Sequence, residues 1–181
     1  VSVAEITQGT IDPCVQSAVS LVRQKQYQKY QVAIEGMGLG NYGGSDYNMG
    51  YRNRDIVRTT GSLGNKEARL YLSDKFKDMG LKVSVQGKYK NVVGELTGTK
   101  TPWKIYVIGA HYDHVKGDRP GGDDNASGVA GVLEAARVLS QFKYESTIRF
   151  IGFNAEEDGL LGSADYVDKL SDDIYIAGMI N

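Results

Sequence analysis

The second half of the chain alternates strand, helix, strand, helix, strand, and few folds satisfy that order. Lys104–Ala110 opens it, and Ile105–Ala110 is almost wholly apolar, as in a strand covered on both faces. Ala126–Phe142 follows, with Val129, Val132, Leu133, Ala136 and Leu139 at helical spacing. Ser146–Asn154 reads as a strand, Ser163–Leu170 as a short helix and Ile174–Ile180 as a last strand. Parallel strands joined by helices bury both sheet faces under those helices. The predicted fold class is therefore α/β, a three-layer α/β/α sandwich with a mixed, centrally parallel sheet.

Upstream, Asn65–Met79 predicts a helix buried along Ala68, Leu72, Phe76 and Met79. Gly80 ends it, and Leu81 supplies the apolar contact that accompanies such an end. Leu81–Gln86 and Asn91–Thr97 read as strands. At the other extreme, Asp12-Pro13 is a helix start, followed by Val15, Ala18, Val19 and Val22 at helical spacing. The pattern continues less cleanly to Ile34, as one helix or two. Residues 1–35 thus form an N-terminal helical segment. From Gly36 to Gly64 the chain is rich in Gly, Asn, Tyr and Ser, which predicts an irregular surface loop, long for a compact domain. The 181 residues suit one domain.

Composition narrows the function classes. With 21 basic and 22 acidic residues, no basic excess points to nucleic acid. No apolar run approaches the roughly 18 residues of a membrane span. The single cysteine, Cys14, builds no disulfide framework, and a buried thiol is expected. The chain opens on Val1 with no charged and apolar leader. A processed, secreted or extracytoplasmic protein would look like this, and so would a trimmed chain.

Ligands of such sheets sit beyond the carboxyl ends of the strands, and three polar clusters fall there. His111-Tyr112-Asp113-His114 follows the apolar strand. Imidazole is a good metal ligand, and a ligating histidine usually gives its other N–H to a carboxylate, for which Asp113 is placed. Pro120-Gly121-Gly122-Asp123-Asp124-Asn125-Ala126-Ser127-Gly128 leads into the next helix, where macrodipole and free N–H groups favour an ionised acid. Asn154-Ala155-Glu156-Glu157-Asp158-Gly159 follows the next strand; adjacent extended residues point apart, so two glutamates can serve two purposes. Singly, these are also a satisfied histidine, a helix cap and a solvated acidic turn. At one end of one sheet they form an imidazole and carboxylate donor set suited to zinc. So many acids together repel one another unless cations bind.

In order and spacing, these runs, ending in Ala-Glu-Glu-Asp-Gly-Leu-Leu-Gly-Ser, resemble the bacterial leucyl aminopeptidase-like family of co-catalytic zinc peptidases. Aminopeptidase Y and glutamate carboxypeptidase II are relatives. The likeness extends upstream through Asn91-Val92-Val93-Gly94-Glu95-Leu96 and the Asn65–Gly80 helix, covering roughly Gln31 to Asn181. It implies two zinc ions, with His111 on one, Asp124 bridging both and Glu157 on the second. It further implies Glu156 as general base, Asp113 as the residue orienting His111, and a cis peptide between Asp124 and Asn125. The substrate implied is a peptide with a free N-terminus.

The resemblance also implies one further aspartate and one further histidine ligand. The chain has two histidines, His111 and His114, and His114 lies too near His111 to substitute easily. The expectation is a single metallopeptidase domain over residues 1–181, C-terminally incomplete, with those ligands beyond Asn181. Three other readings stay open: a glutaminyl-cyclase-like transferase, a carboxypeptidase of the same fold, and a non-catalytic fragment or binding domain.

Overall fold

The computed structural model describes residues 12–35, 58, 60–115 and 121–181. Asp12 caps helix α1 (Pro13–Ser20), its carboxylate accepting the N–H groups of Cys14 at 2.7 Å and Val15 at 3.4 Å. The chain breaks at Leu21–Arg23 before α2 (Gln24–Glu35), so the segment is two helices. The break is held from a distant helix: Glu134 accepts the Arg23 N–H at 2.7 Å, and Arg137 donates to the Leu21 carbonyl at 2.6 Å.

Two expectations fail in this segment. Val15, Val19 and Val22 are exposed, and Cys14 is exposed rather than buried. Only α2 enters the core, through Tyr30, Ala33 and Ile34. Among the described residues nothing covers the apolar face of α1. Helical spacing reports local structure, whereas burial needs a partner face. Residues 1–11 of the expected helical segment lie outside the described residues.

So do residues 36–57 and 59 of the expected glycine-rich loop. At the end of that stretch Thr60 and Gly61 form an exposed turn, as expected of a surface loop, but the described residues on either side of it differ. Arg58 is buried, and α3 (Leu63–Asp78) begins two residues before the predicted start, capped by Ser62, whose hydroxyl accepts the Asn65 N–H at 3.1 Å. Ala68, Leu72 and Phe76 are buried as the spacing predicts, and Tyr71 joins them. Gly80 ends the helix at φ 76°, and the Leu81 N–H returns to the Phe76 carbonyl at 3.1 Å.

Among the described residues there are five strands, β1 (Lys82–Gln86), β2 (Asn91–Leu96), β3 (Thr101–His111), β4 (Ser146–Phe153) and β5 (Tyr175–Ile180). They lie in the order β1-β2-β4-β3-β5. β1 and β2 pair antiparallel, as do β2 and β4, while β3 runs parallel to both β4 and β5. Helix α4 (Gly128–Leu139) joins β3 to β4, and α5 (Leu161–Asp168) joins β4 to β5. α2, α3 and α4 build the core on one sheet face with Leu72, Phe76, Leu133 and Phe150. On the other face Tyr166 of α5 packs with Ile105, Val107, Ile151 and Phe153. This is the predicted three-layer sandwich with a mixed, centrally parallel sheet.

β3 is covered on both faces only near its end, where Gly109 and Ala110 are buried. Tyr106 is exposed and Ile108 partly so, because the face beside β5 has no helix over it among the described residues. β5 forms one edge of the sheet, with Tyr175, Met179 and Ile180 exposed.

Candidate metal centre

Register brings two of the three clusters together. His111 is paired with Phe153 in the parallel ladder, and the Tyr112 N–H closes it on the Phe153 carbonyl at 2.8 Å. The residues just beyond each strand therefore meet. Asp113, 0% exposed, accepts the N–H groups of Glu156 and Glu157, each at 3.2 Å, one per carboxylate oxygen. Charge-assisted bonds of this kind are strong. One buried carboxylate thus fixes the turn that carries both glutamates.

The third cluster arrives from the start of α4. Gly122–Ser127 is a wide, irregular turn in which Asp124 and Asn125 leave helical geometry, and the Asp124–Asn125 peptide is cis. The turn aims Asp124 back at the strand ends. Its Oδ1 lies 3.0 Å from His111 Nε2, although three-quarters of its side chain (75%) is exposed. Asp123 is exposed, and Pro120, also part of this run, lies outside the described residues.

His111 is oriented by its own strand end. Its Nδ1 lies 3.1 Å from the Asp113 main-chain carbonyl, which can only accept, so the proton sits on Nδ1. The Asp113 carboxylate is 3.6 Å from the same nitrogen. Nε2 therefore faces the carboxylates, with a lone pair for a cation when the ring is neutral and a proton when it is charged, and Glu156 Oε2 lies 3.8 Å away. Burial pulls the His111 pKa down. Hydrogen bonding to Asp113 and the charges of Asp113, Glu156 and Asp124 outweigh it, and the net direction is upward.

Glu157 shows the tension in the site most clearly. Its Oε1 is buried and accepts no hydrogen bond. Burial raises its pKa, as do Asp124, Glu156 and Asp113, while His111 opposes them. A cation would satisfy that oxygen and relieve the repulsion. His111, Glu156 and Glu157 each offer a donor atom within 4.8 Å of the others, the one such set among the described residues. Asp124 stands outside that set but within reach of His111. Imidazole with carboxylates is the chemistry of a zinc-type site.

His114 has a different setting. Its Nε2 accepts the Arg58 N–H at 3.0 Å, and its Nδ1 donates to the Val115 carbonyl. Both nitrogens are taken, and burial with the nearby Arg58 charge lowers its pKa. It is a neutral structural histidine, as its closeness to His111 suggested.

Sequence reasoning missed the residues that hold these turns from behind. Asn154 bonds through its side chain to Asn65 and donates to the Tyr89 carbonyl at 2.7 Å. Its own N–H goes to Asn91 Oδ1 at 3.1 Å, and Asn91 donates to the Gly162 carbonyl at 2.8 Å. Asparagines in a first helical turn or at a strand start look like ordinary caps, so no local signal marks them. Arg58, within a Gly- and Tyr-rich stretch, carries no signal either.

Comparison with known proteins gives this geometry a family. The model of peptidase family M28 matches residues 91–181, half of the chain. The chain belongs to peptidase family M28. Over 94 residues the M28 chain is 46% identical to aminopeptidase YwaD of Bacillus subtilis, covering 51% of this chain and 20% of that protein. A Pyrenophora tritici-repentis protein named "Probable zinc metalloprotease" is 40% identical over 98 residues, 50% of this chain and 23% of that protein. The M28 chain thus aligns with about a fifth of the length of these relatives. The crystal structure of the LapA aminopeptidase of Legionella pneumophila superposes with a TM-score of 0.72 at 22% identity. It covers 99% of this chain and 47% of that one, and so supports the fold.

Proposed function

We propose that the protein carrying this M28 domain is a zinc-dependent exopeptidase that hydrolyses N-terminal residues from peptides. The observation that carries the proposal is the convergence of an open His111 Nε2 and an unpartnered, buried Glu157 oxygen on one point at the strand ends. The relatives named as zinc metalloprotease and aminopeptidase support zinc as the cation and a terminal residue as the target.

His111, Asp124 and Glu157 would hold the metal, Asp124 joining through its reach to His111 Nε2 at 3.0 Å. Bound zinc supplies Lewis acidity, which polarises a peptide carbonyl and lowers the pKa of water toward about 7. Glu156 takes the proton from the attacking water and returns it to the leaving amine. Its side chain is 36% exposed, open enough to reach both. Its main chain is fixed by Asp113, so the carboxylate is delivered to one place. Asp113 also sets the Nδ1–H tautomer of His111 through its carbonyl. A free substrate amine would sit among these acids, which favours a peptide terminus over an internal bond.

Glu156→Gln in the full-length protein tests the assignment. Turnover of a leucyl chromogenic amide should fall by roughly 10²–10⁴-fold, with zinc content by elemental analysis unchanged. Glu157→Gln should instead lose zinc. The reverse pattern would exchange the two roles. Turnover of a glutaminyl peptide to a cyclic product, without amide cleavage, would overturn the peptidase reading.

A further inference from the structure

Arg58 is 1% exposed and lies behind the candidate metal centre. Its guanidinium spreads three donors over three segments of main chain. Nη1 donates to the Ile34 carbonyl at 2.6 Å, Nε to Tyr112 at 3.1 Å and Nη2 to Gly121 at 2.9 Å. Tyr112 is the residue after His111. Gly121 opens the Asp124 turn, and its carbonyl also accepts the Ala126 N–H at 3.0 Å, closing that turn. The main chain of Arg58 reaches the third cluster. Its carbonyl accepts from Asn65 Nδ2 at 3.1 Å, and the same nitrogen lies 2.7 Å from Asn154 Oδ1, two residues before Glu156. Its N–H is held by His114.

One residue therefore touches the backbone of two site-bearing segments and reaches the third through one asparagine. The fit is tight. Gly121 has φ 58°, and a Cβ there would stand 2.8 Å from Arg58 Nη2 and 2.9 Å from His114 Cβ. Only a planar fork serves three divergent carbonyls at once; an ammonium is a point charge on a flexible stem. Burial lowers the Arg58 pKa to about 10, with Glu35 and Asp113 opposing the fall, so the group stays cationic at neutral pH.

We propose that Arg58 is a positioning residue: its guanidinium sets the spacing of the segments bearing His111, Asp124 and Glu156–Glu157, and through it the zinc affinity of the site. This rests on the zinc reading above. The role does not follow from a bonded guanidinium alone, since half-buried Arg149 on the opposite sheet face is also bonded, to Glu95 at 2.9 Å and Tyr166 at 3.1 Å.

The test compares Arg58→Lys and Arg149→Lys in the full-length protein. Zinc affinity is read by competition with a chromophoric chelator, site geometry by the visible spectrum of the cobalt-substituted protein, and folding by thermal unfolding. Arg58→Lys should unfold cooperatively, lose roughly 10–100-fold in zinc affinity and shift the cobalt spectrum. Arg149→Lys should leave affinity and spectrum at wild-type values. An Arg58→Lys protein with wild-type affinity and spectrum overturns the proposal. If Arg58→Lys does not fold, Arg58→Gln, which keeps a planar donor but cannot span the three carbonyls, decides: folded protein with weakened zinc binding and a shifted cobalt spectrum supports the proposal, and wild-type binding and spectrum overturn it. A wild-type protein that binds no zinc sinks the peptidase reading together with this inference, whereas wild-type binding unaltered by the variants sinks the inference alone.

Discussion

His111 and His114 stand three residues apart at the end of the same strand, the first closing β3 and the second just beyond it. Nε2 of His111 faces Asp124 at 3.0 Å, while Nε2 of His114 accepts the Arg58 N–H at 3.0 Å. In each ring Nδ1 donates to a main-chain carbonyl, of Asp113 in one case and Val115 in the other. The tautomer is the same, and only the neighbour of Nε2 differs. What separates the candidate ligand from the structural histidine is that the backbone leaves the second nitrogen of His111 without a donor and fills that of His114. Burial lowers the pKa of both rings; at His114 the Arg58 charge deepens the fall, whereas at His111 the hydrogen bond and charge of Asp113, with Glu156 and Asp124, outweigh it and the net direction is upward.

The difference can be broken from several sides in the full-length protein. His111→Ala should have the largest effect, with zinc lost on elemental analysis and peptidase activity down by roughly 10²-fold or more. Asp113→Ala frees the Glu156–Glu157 turn and should weaken zinc roughly 10–100-fold by chelator competition. His114→Ala removes the imidazole that accepts the buried Arg58 N–H. It should cost about 1–3 kcal/mol in denaturant unfolding, with a far smaller zinc effect than His111→Ala. Zinc retention in His111→Ala with loss in His114→Ala would invert the two roles.

Titration sharpens the same contrast. In zinc-free protein, nuclear magnetic resonance should give His111 a midpoint above the ordinary 6.5 and His114 one below it. The stability signs are opposite. Protonated His111 contributes below pH 6.5, and its contribution disappears as pH rises through its folded pKa. Neutral His114 contributes above pH 6.5, and its contribution disappears as pH falls through its folded pKa. Coincident midpoints would contradict the two environments. The smallest effect is expected at Val19→Ser on the exposed face of α1, within about 0.5 kcal/mol of wild type by thermal unfolding.

The layers were legible because they depend on local pattern. The stripe from Val129 to Ala136 is buried on α4, and the apolar end of β3 leads straight to His111. The placement of the acids at one sheet end was legible from strand order. Contacts made across the fold were not. Valines 15, 19 and 22 carry the same spacing as a core helix and are exposed, because spacing says nothing of what lies opposite. The Asp113 carboxylate was expected chiefly to orient His111; it binds the two glutamate N–H groups, and its carbonyl is nearer the imidazole. Arg58 was assigned to a surface loop because its three carbonyl partners lie 24 to 63 residues away.

β5 carries a practical consequence. Its outer edge pairs with no described strand, and its six residues, Tyr-Ile-Ala-Gly-Met-Ile, contain neither charge nor proline. An uncharged edge of this kind is a template for another copy of itself. Solutions of the 181-residue chain alone should self-associate as concentration rises, which sedimentation would show. A lysine at Met179 should restore solubility without touching the strand ends where the acids meet.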